Sequence, residues 1–286
     1  GPKGRQTKQK ARLQNYDKLL NQDQKQLDEQ LEIYIPNGPR LGTQVLNAQG
    51  ISKSYGDKLL YESLNFTLPQ AGIVGVIGPN GAGKSTTINL IAGLLKPTSG
   101  TIEIGWIDPF SESEQSRSRL AYVSESVALY PHLSGIENLQ LFARLANRTL
   151  DLKESAECLN RVGLQKDAHH RRTGAYSKGM RQKVGLAIAL AKDAQAIVLD
   201  EPSSGLDPSA SHDLAERVRG LAKDGLAVLM ATHDLFRARE TCDRIGLLVG
   251  GQLRAEWEAS EVKHRDLEAS YLDLVSGKKI TQKPID

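Results

Sequence analysis

The chain has 286 residues, 39% of them hydrophobic, which is enough for one large domain with appendages or two small ones. Its formal net charge is only +3, so overall charge makes no case for a nucleic-acid binder. No stretch approaches the roughly 18 apolar residues of a membrane span, the basic start has no apolar leader, and Cys158 and Cys242 lack metal-site spacing and read as reduced thiols.

Residues 1–44 form a basic arm. Lys3, Arg5, Lys8, Lys10 and Arg12 open it, and Leu13, Leu20 and Leu27 recur every seven residues among Gln, Lys and Asp. That spacing predicts a helix with a thin apolar stripe, ended by Pro36-Asn37-Gly38-Pro39. It reads either as a solvated linker or as an arm contacting RNA phosphates. Val45–Ser54 and Leu59–Leu68 then read as two strands joined at Gly56-Asp57. Tyr55 at that turn is either a strand-end tyrosine or a platform for an adenine ring.

Gly72–Ile77 is a short apolar run with β-branched residues and reads as a buried strand. Gly78-Pro79-Asn80-Gly81-Ala82-Gly83-Lys84-Ser85 follows and fits the phosphate-binding pattern G-x-x-x-x-G-K-[ST]. Thr86–Leu95 reads as a helix with Ile88, Ile91 and Leu95 on one face. Strand, glycine loop and helix together form an anion cradle of backbone N–H groups at a helix N-terminus. Lys84 can reach the β- and γ-phosphates, and the Ser85 hydroxyl can ligate Mg²⁺.

Pro97–Gly100 is a turn before a strand at Thr101–Gly105. From about Ser124 to Tyr176 the apolar spacing turns helical, with Leu133, Ile136, Leu139, Phe142 and Leu145, then Ala156, Leu159 and Val162. This predicts a helical insert over about 125–176. Ala196–Glu201 is a buried strand ending in two acids, whose side chains strand alternation would point in opposite directions. Ser209–Lys223 is a helix, Gly225–His233 a strand, and Ile245–Glu256 a hairpin turning at Gly250-Gly251. Residues 259–286 are a polar helix and tail. Strands alternating with helices predict an α/β fold with a mainly parallel sheet and antiparallel strands at the N-terminal side. Ligands bind beyond the carboxyl ends of such strands, where the phosphate loop, Asp200-Glu201 and His233 all fall.

From about Val45 to Glu256 these residues resemble the ATP-binding cassette (ABC) ATPases, a family of P-loop NTPases. The phosphate loop matches at Gly78–Ser85 and the acidic strand at Ile197–Glu201. Ser204-Gly205-Leu206-Asp207 matches the D-loop, His233 the switch histidine and Tyr55 the adenine-stacking aromatic. The LSGGQ signature stands here as Tyr176-Ser177-Lys178-Gly179-Met180, which keeps Ser177 and Gly179. Glu125 occupies the place where the family usually has Gln. Both departures, and Ala128–Ser134, resemble the ATPases of ABC-2 type exporters. Gly4-Arg5-Gln6, Ile35–Gly42 and Ser54–Leu60 resemble instead ABC-F translation factors, so the chain reads as a mosaic joined near the phosphate loop.

The resemblance implies ATP and Mg²⁺ as cofactors. Gly78, Pro79, Asn80, Gly81, Ala82, Gly83, Lys84, Ser85 and Thr86 would hold the nucleotide with Tyr55, Glu125 and Asp207. Ser85 and Asp200 would hold the metal, Glu201 would polarise the attacking water, and His233 would contact the γ-phosphate. Ser177 and Gly179 would complete the site of a second ABC domain, which implies a homodimer. Two roles follow. One is the ATP-binding subunit of an ABC-2 exporter, held at the inner face of the cell membrane by a membrane-spanning subunit. The other is a ribosome-associated ATPase touching ribosome or tRNA through the basic arm.

Overall fold

The computed structural model of the chain describes residues 44–56 and 58–276. The basic arm with its leucine heptads, and the tail beyond 276, lie outside the described residues.

Among the described residues, two sheets share the fold. Strands β1 (Gln44–Tyr55), β2 (Lys58–Pro69) and β4 (Ser99–Ile104) form an antiparallel sheet in the order β2-β1-β4. The main sheet has six strands. They are β3 (Ile73–Ile77), β5 (Leu120–Val123), β6 (Ala196–Asp200), β7 (Ala227–Thr232), β8 (Arg244–Val249) and β9 (Gln252–Glu258). Their order is β5-β6-β7-β3-β8-β9, parallel from β5 to β8 and antiparallel only at the β8–β9 hairpin. The expected parallel core, antiparallel flank and terminal hairpin are therefore all present.

Alternation along the central strands explains why both faces are covered. Ile197, Leu199, Val228 and Met230 enter one apolar core. Their neighbours Ala196, Val198, Ala227, Leu229 and Ala231 enter a second core, with Leu46, Ile51 and Leu68 of the antiparallel sheet. A parallel sheet buried on both faces needs such uninterrupted apolar strands. Helix α1 (Lys84–Ile91) sits in the second core through Ile88, Leu90 and Ile91. It is shorter than its apolar spacing predicts. It stops at Ile91 because Gly93 turns left-handed (φ 67°) and the N–H groups of Leu94 and Leu95 donate back to the Asn89 carbonyl. Leu95 therefore packs against the core from beyond the helix end.

Helices α3 (Gly135–Leu145) and α4 (Leu152–Arg161) fall inside the predicted insert, followed by two 3₁₀ turns at Lys166–Ala168 and Thr173–Ala175. Each helix opens with a reciprocal capping box, Ser134 with Glu137 and Asp151 with Glu154. Helix α5 (Lys178–Ala191) packs on both and on β5. Helix α6 (Pro208–Lys223) begins at the Asp207 cap, and α8 (His264–Val275) is the polar C-terminal helix. Helix α2 (Ser113–Arg119), β5 and α7 (Leu235–Thr241) have no counterpart in the sequence reading. Each is seven residues or fewer, too short for periodicity to stand out.

Candidate functional site

β3, β6 and β7 are adjacent and parallel, and their carboxyl ends lie level: Ile77 pairs with Thr232, and Asp200 with Ala231. The phosphate loop leaves the end of β3, the acidic pair the end of β6, and His233 the end of β7. Gly78 packs so closely on β8 that a Cβ there would overlap the Leu248 carbonyl oxygen. Gly83 takes φ 106°, a left-handed conformation suited to glycine, and starts α1. Asn80, Gly81 and Ser85 are exposed; Pro79 and Thr86 are half-buried; Ala82 is buried.

Lys84 is 8% exposed. Its Nζ donates to the carbonyls of Gly78 (2.5 Å) and Pro79 (3.2 Å), so the ammonium is folded against the loop it serves. Burial holds it below the usual lysine range, against the charges of Glu201 and Asp200, which raise it. A desolvated cation beside a loop of N–H groups suits a polyanion, and the two nearby carboxylates suit a cation that accompanies it.

Asp200 and Glu201 follow each other in sequence but not in geometry. Asp200 ends the strand, whereas Glu201 has φ 46°, left-handed and uncommon for a side-chain-bearing residue. The alternation expected of consecutive strand residues therefore does not govern Glu201; a turn does. Its N–H donates to the Ala231 carbonyl (2.9 Å). Its Oε2 meets the Thr232 hydroxyl (3.1 Å), the His233 N–H (3.3 Å) and the His233 ring at Nδ1 (2.9 Å). Burial, then the charge of Glu201, pushes the Asp200 carboxyl above the usual range. The Tyr122 hydroxyl donates to Asp200 (3.4 Å), and burial and Asp200 together raise that phenol.

Glu125 is half-exposed beyond the end of β5. It accepts from the Ser204 hydroxyl (2.7 Å) and lies 3.6 Å from the Lys178 ammonium. Those two contacts, Ser204 first, hold its carboxyl below the usual range. Ser177 caps α5, accepting from the Met180 N–H (3.2 Å). A Cβ at Gly179 would meet only ordinary contacts, 3.7 Å from Ala210 and 3.8 Å from Leu206. Asp207 accepts from the N–H groups of Ser209 and Ala210 (3.0 Å each), and so starts α6. Tyr55 ends β1 and is 54% exposed, with the Lys53 ammonium 5.1 Å from its ring centre.

The profile of the ABC transporter family matches residues 61–204. The chain belongs to the ABC transporter family. It is 36% identical over 74% of its length to the ABC transporter ATP-binding protein YdbJ of Bacillus subtilis (strain 168), covering 68% of that protein. It is 35% identical to the daunorubicin resistance ATP-binding protein DrrA3 of Streptomyces coeruleorubidus, over 76% of this chain and 69% of that one. Among solved structures, an ATP-binding subunit of an ABC transporter aligns over 82% of this chain and 98% of that one, with TM-score 0.69 and 31% identity. The dimeric cassette MJ0796 bound to ADP and Pi aligns over 75% of this chain and 98% of that one, with TM-score 0.66 and 27% identity.

The ABC fold and family anticipated from the motifs are thus in place, and the relatives are transporter ATP-binding proteins. A join to a translation factor is not shown by these comparisons. Most of the stretches that suggested it, residues 4–42, lie outside the described residues. Sequence reasoning did not assign Tyr122, Thr232, Lys178, Gln182 and Ser204 to the site. Lys178 and Ser204 stand inside the signature and the D-loop, and the others within a few residues of a motif, but only tertiary contact reveals their partners.

Proposed function

We propose that this ABC chain hydrolyses ATP to ADP and phosphate and energises an ABC-2 type membrane exporter. The observation that carries the chemistry is the meeting of Lys84, Asp200, Glu201 and His233 at one sheet edge. Lys84 and the loop amides bind the β,γ-phosphates. Glu201, anchored by Thr232 and His233, accepts the proton of the attacking water. His233 holds that carboxylate and reaches toward the γ-phosphate. Tyr55 would stack on the adenine, and Glu125 would couple the site to the helical insert. Asp207, spent on its cap, would act by setting the D-loop.

The donor set suits Mg²⁺. A half-buried Asp200 carboxylate, destabilised by its neighbour Glu201, and the Ser85 hydroxyl are hard oxygen ligands of the kind this cation takes beside phosphates. When bound there, the ion would neutralise charge that develops on the phosphate oxygens.

Gly179 supports completion of the site by a second copy. Glycine in the first turn of a helix costs helix stability, and no steric reason for it exists among the described residues. A closely approaching partner nucleotide supplies one, with Ser177 and the N-terminus of α5 facing its γ-phosphate. The names of the relatives favour the exporter over the ribosome-associated reading: DrrA3 is a daunorubicin resistance protein, and a linearmycin resistance ATP-binding protein, LnrL of Bacillus subtilis (strain 168), is 33% identical. No helix among the described residues is long and apolar enough to cross a membrane, so the transport path would belong to a membrane-spanning partner.

Glu201→Gln tests the reading. Hydrolysis should fall roughly 10²–10⁴-fold, the range for losing a positioned general base, while ATP still binds. Mg-ATP should then shift the variant to a dimer on size-exclusion chromatography, with the wild type mostly monomeric. Wild-type turnover by Glu201→Gln would remove the general base; a stalled but monomeric variant would remove the composite site.

A further inference from the structure

Two departures from the family pattern, Glu125 and the signature's Lys178, lie 53 positions apart in sequence and meet in space. The Glu125 carboxylate is 3.6 Å from the Lys178 ammonium. Its placement is fixed from three sides. The Ser204 hydroxyl donates to it at 2.7 Å. Gln182, 1% exposed, donates to the backbone carbonyls of Glu125 (2.9 Å) and Ser124 (3.3 Å). Lys178 approaches from the first position of α5, its Nζ 3.4 Å from where a Cβ of Gly205 would stand. A lysine at that position opposes the helix macrodipole, and the first turn of α5 holds no acidic residue to offset it. Its presence therefore calls for a partner outside the helix, and Glu125 is one.

We propose that Lys178 is a positioning residue of the nucleotide site, whose charge neutralises Glu125 so that a carboxylate can stand where the family pattern has an uncharged amide. This rests on the ATPase reading above. Asp200 and Glu201 already place two carboxylates at the phosphate-binding edge, and the charge of Glu125 is felt at Asp200 as that of His233 is felt at Glu125. A third bare carboxylate would repel an incoming triphosphate. Lys178 removes that repulsion and ties the segment after β5, the loop after β6 and the start of α5 into one unit. The two departures are then one compensated exchange, and neither is a decay of the motif. The pair also links a chain's own phosphate edge to the signature turn that it offers to its partner.

The prediction is conditional on the glutamate. Steady-state hydrolysis by the full chain is titrated with Mg-ATP, and binding is followed in parallel with a fluorescent ATP analogue. Lys178→Gln should raise the half-saturating ATP concentration by about two- to fivefold, the range of a half-exposed ion pair, with a smaller change in kcat. Glu125→Gln/Lys178→Gln should return to the value of Glu125→Gln alone. Lys178→Arg should match wild type, and the Lys178→Gln effect should shrink in 0.5 M salt. The proposal is overturned if Lys178→Gln has the same effect with Glu125 and with Gln at 125, since Lys178 would then act on the nucleotide or the fold directly. It is also overturned if Lys178→Gln changes nothing. A wild-type chain that binds no nucleotide would sink the ATPase reading itself, and this proposal with it.

Discussion

At the residue scale, the site runs on charges held against their preference. Lys84 is kept below the usual lysine range by burial, and Asp200 above the usual carboxyl range by burial and by Glu201. Each is relieved by a ligand of opposite sign, which is how a binding site stores selectivity. Glu201 adds backbone strain, at φ 46°, to put its carboxylate on Thr232 and His233. Lys84 separates binding from stability. Among the described residues its ammonium donates to the carbonyls of its own loop, so Lys84→Ala should melt within a few degrees of wild type. The same variant should lose roughly 10²–10³ in turnover, the scale of removing one preorganised charge donor. Turnover assays and thermal melts of the purified variant check both halves. Unchanged turnover would move the phosphate site elsewhere.

At the element scale, two helices meet at one carboxylate, and its lysine partner reaches on to a third segment. Asp213 on α6 binds Lys183 of α5 (2.6 Å) and Arg217 of its own helix (2.9 Å). Lys183 also donates to the Gly163 carbonyl just past α4 (3.0 Å). Burial raises the Asp213 carboxyl, and the bonds from Lys183 and Arg217 outweigh it, leaving it below the usual range. A depressed folded-state value stabilises the fold above the carboxyl's ordinary range and is lost as pH falls through the depressed value. Asp213→Ala should therefore cost about 1 kcal/mol in urea melts, discounted for its partial exposure. The gap should hold from pH 8 to 5 and narrow below about pH 4. A gap that is independent of pH would mean packing, not charge, joins α5 to α6.

At the scale of the whole molecule, the proposed dimer makes each site from two chains, so the two halves can be damaged separately. Ser177→Arg would put bulk on the surface offered to the partner, and Lys84→Ala disables the chain's own loop. Neither variant alone should turn over. Mixed in equal amounts, they form heterodimers with one intact site, and turnover should recover up to about a quarter of wild type under two-fold symmetry. No recovery would argue that a single chain holds its whole site, or that both sites must work together.

The family, the order of the longer elements and the phosphate loop were legible in the residues alone. Those features rest on local rules: glycines at fixed spacing before a helix, and uninterrupted apolar runs in buried strands. The sequence also placed three chemistries at one sheet edge, because parallel topology puts the strand ends there. Short elements escaped it, since α2, β5 and α7 hold too few residues for a period to be read. Tertiary structure alone decided how the acidic pair is arranged, because Glu201 leaves the strand for a left-handed turn fixed by bonds to β7 and His233. It alone decided that Glu125 and Lys178 are one pair, as no local rule joins residues 53 positions apart. Contacts of that range exist only once β5, α5 and the loop after β6 have packed, and the charges whose partners decide function are of that kind.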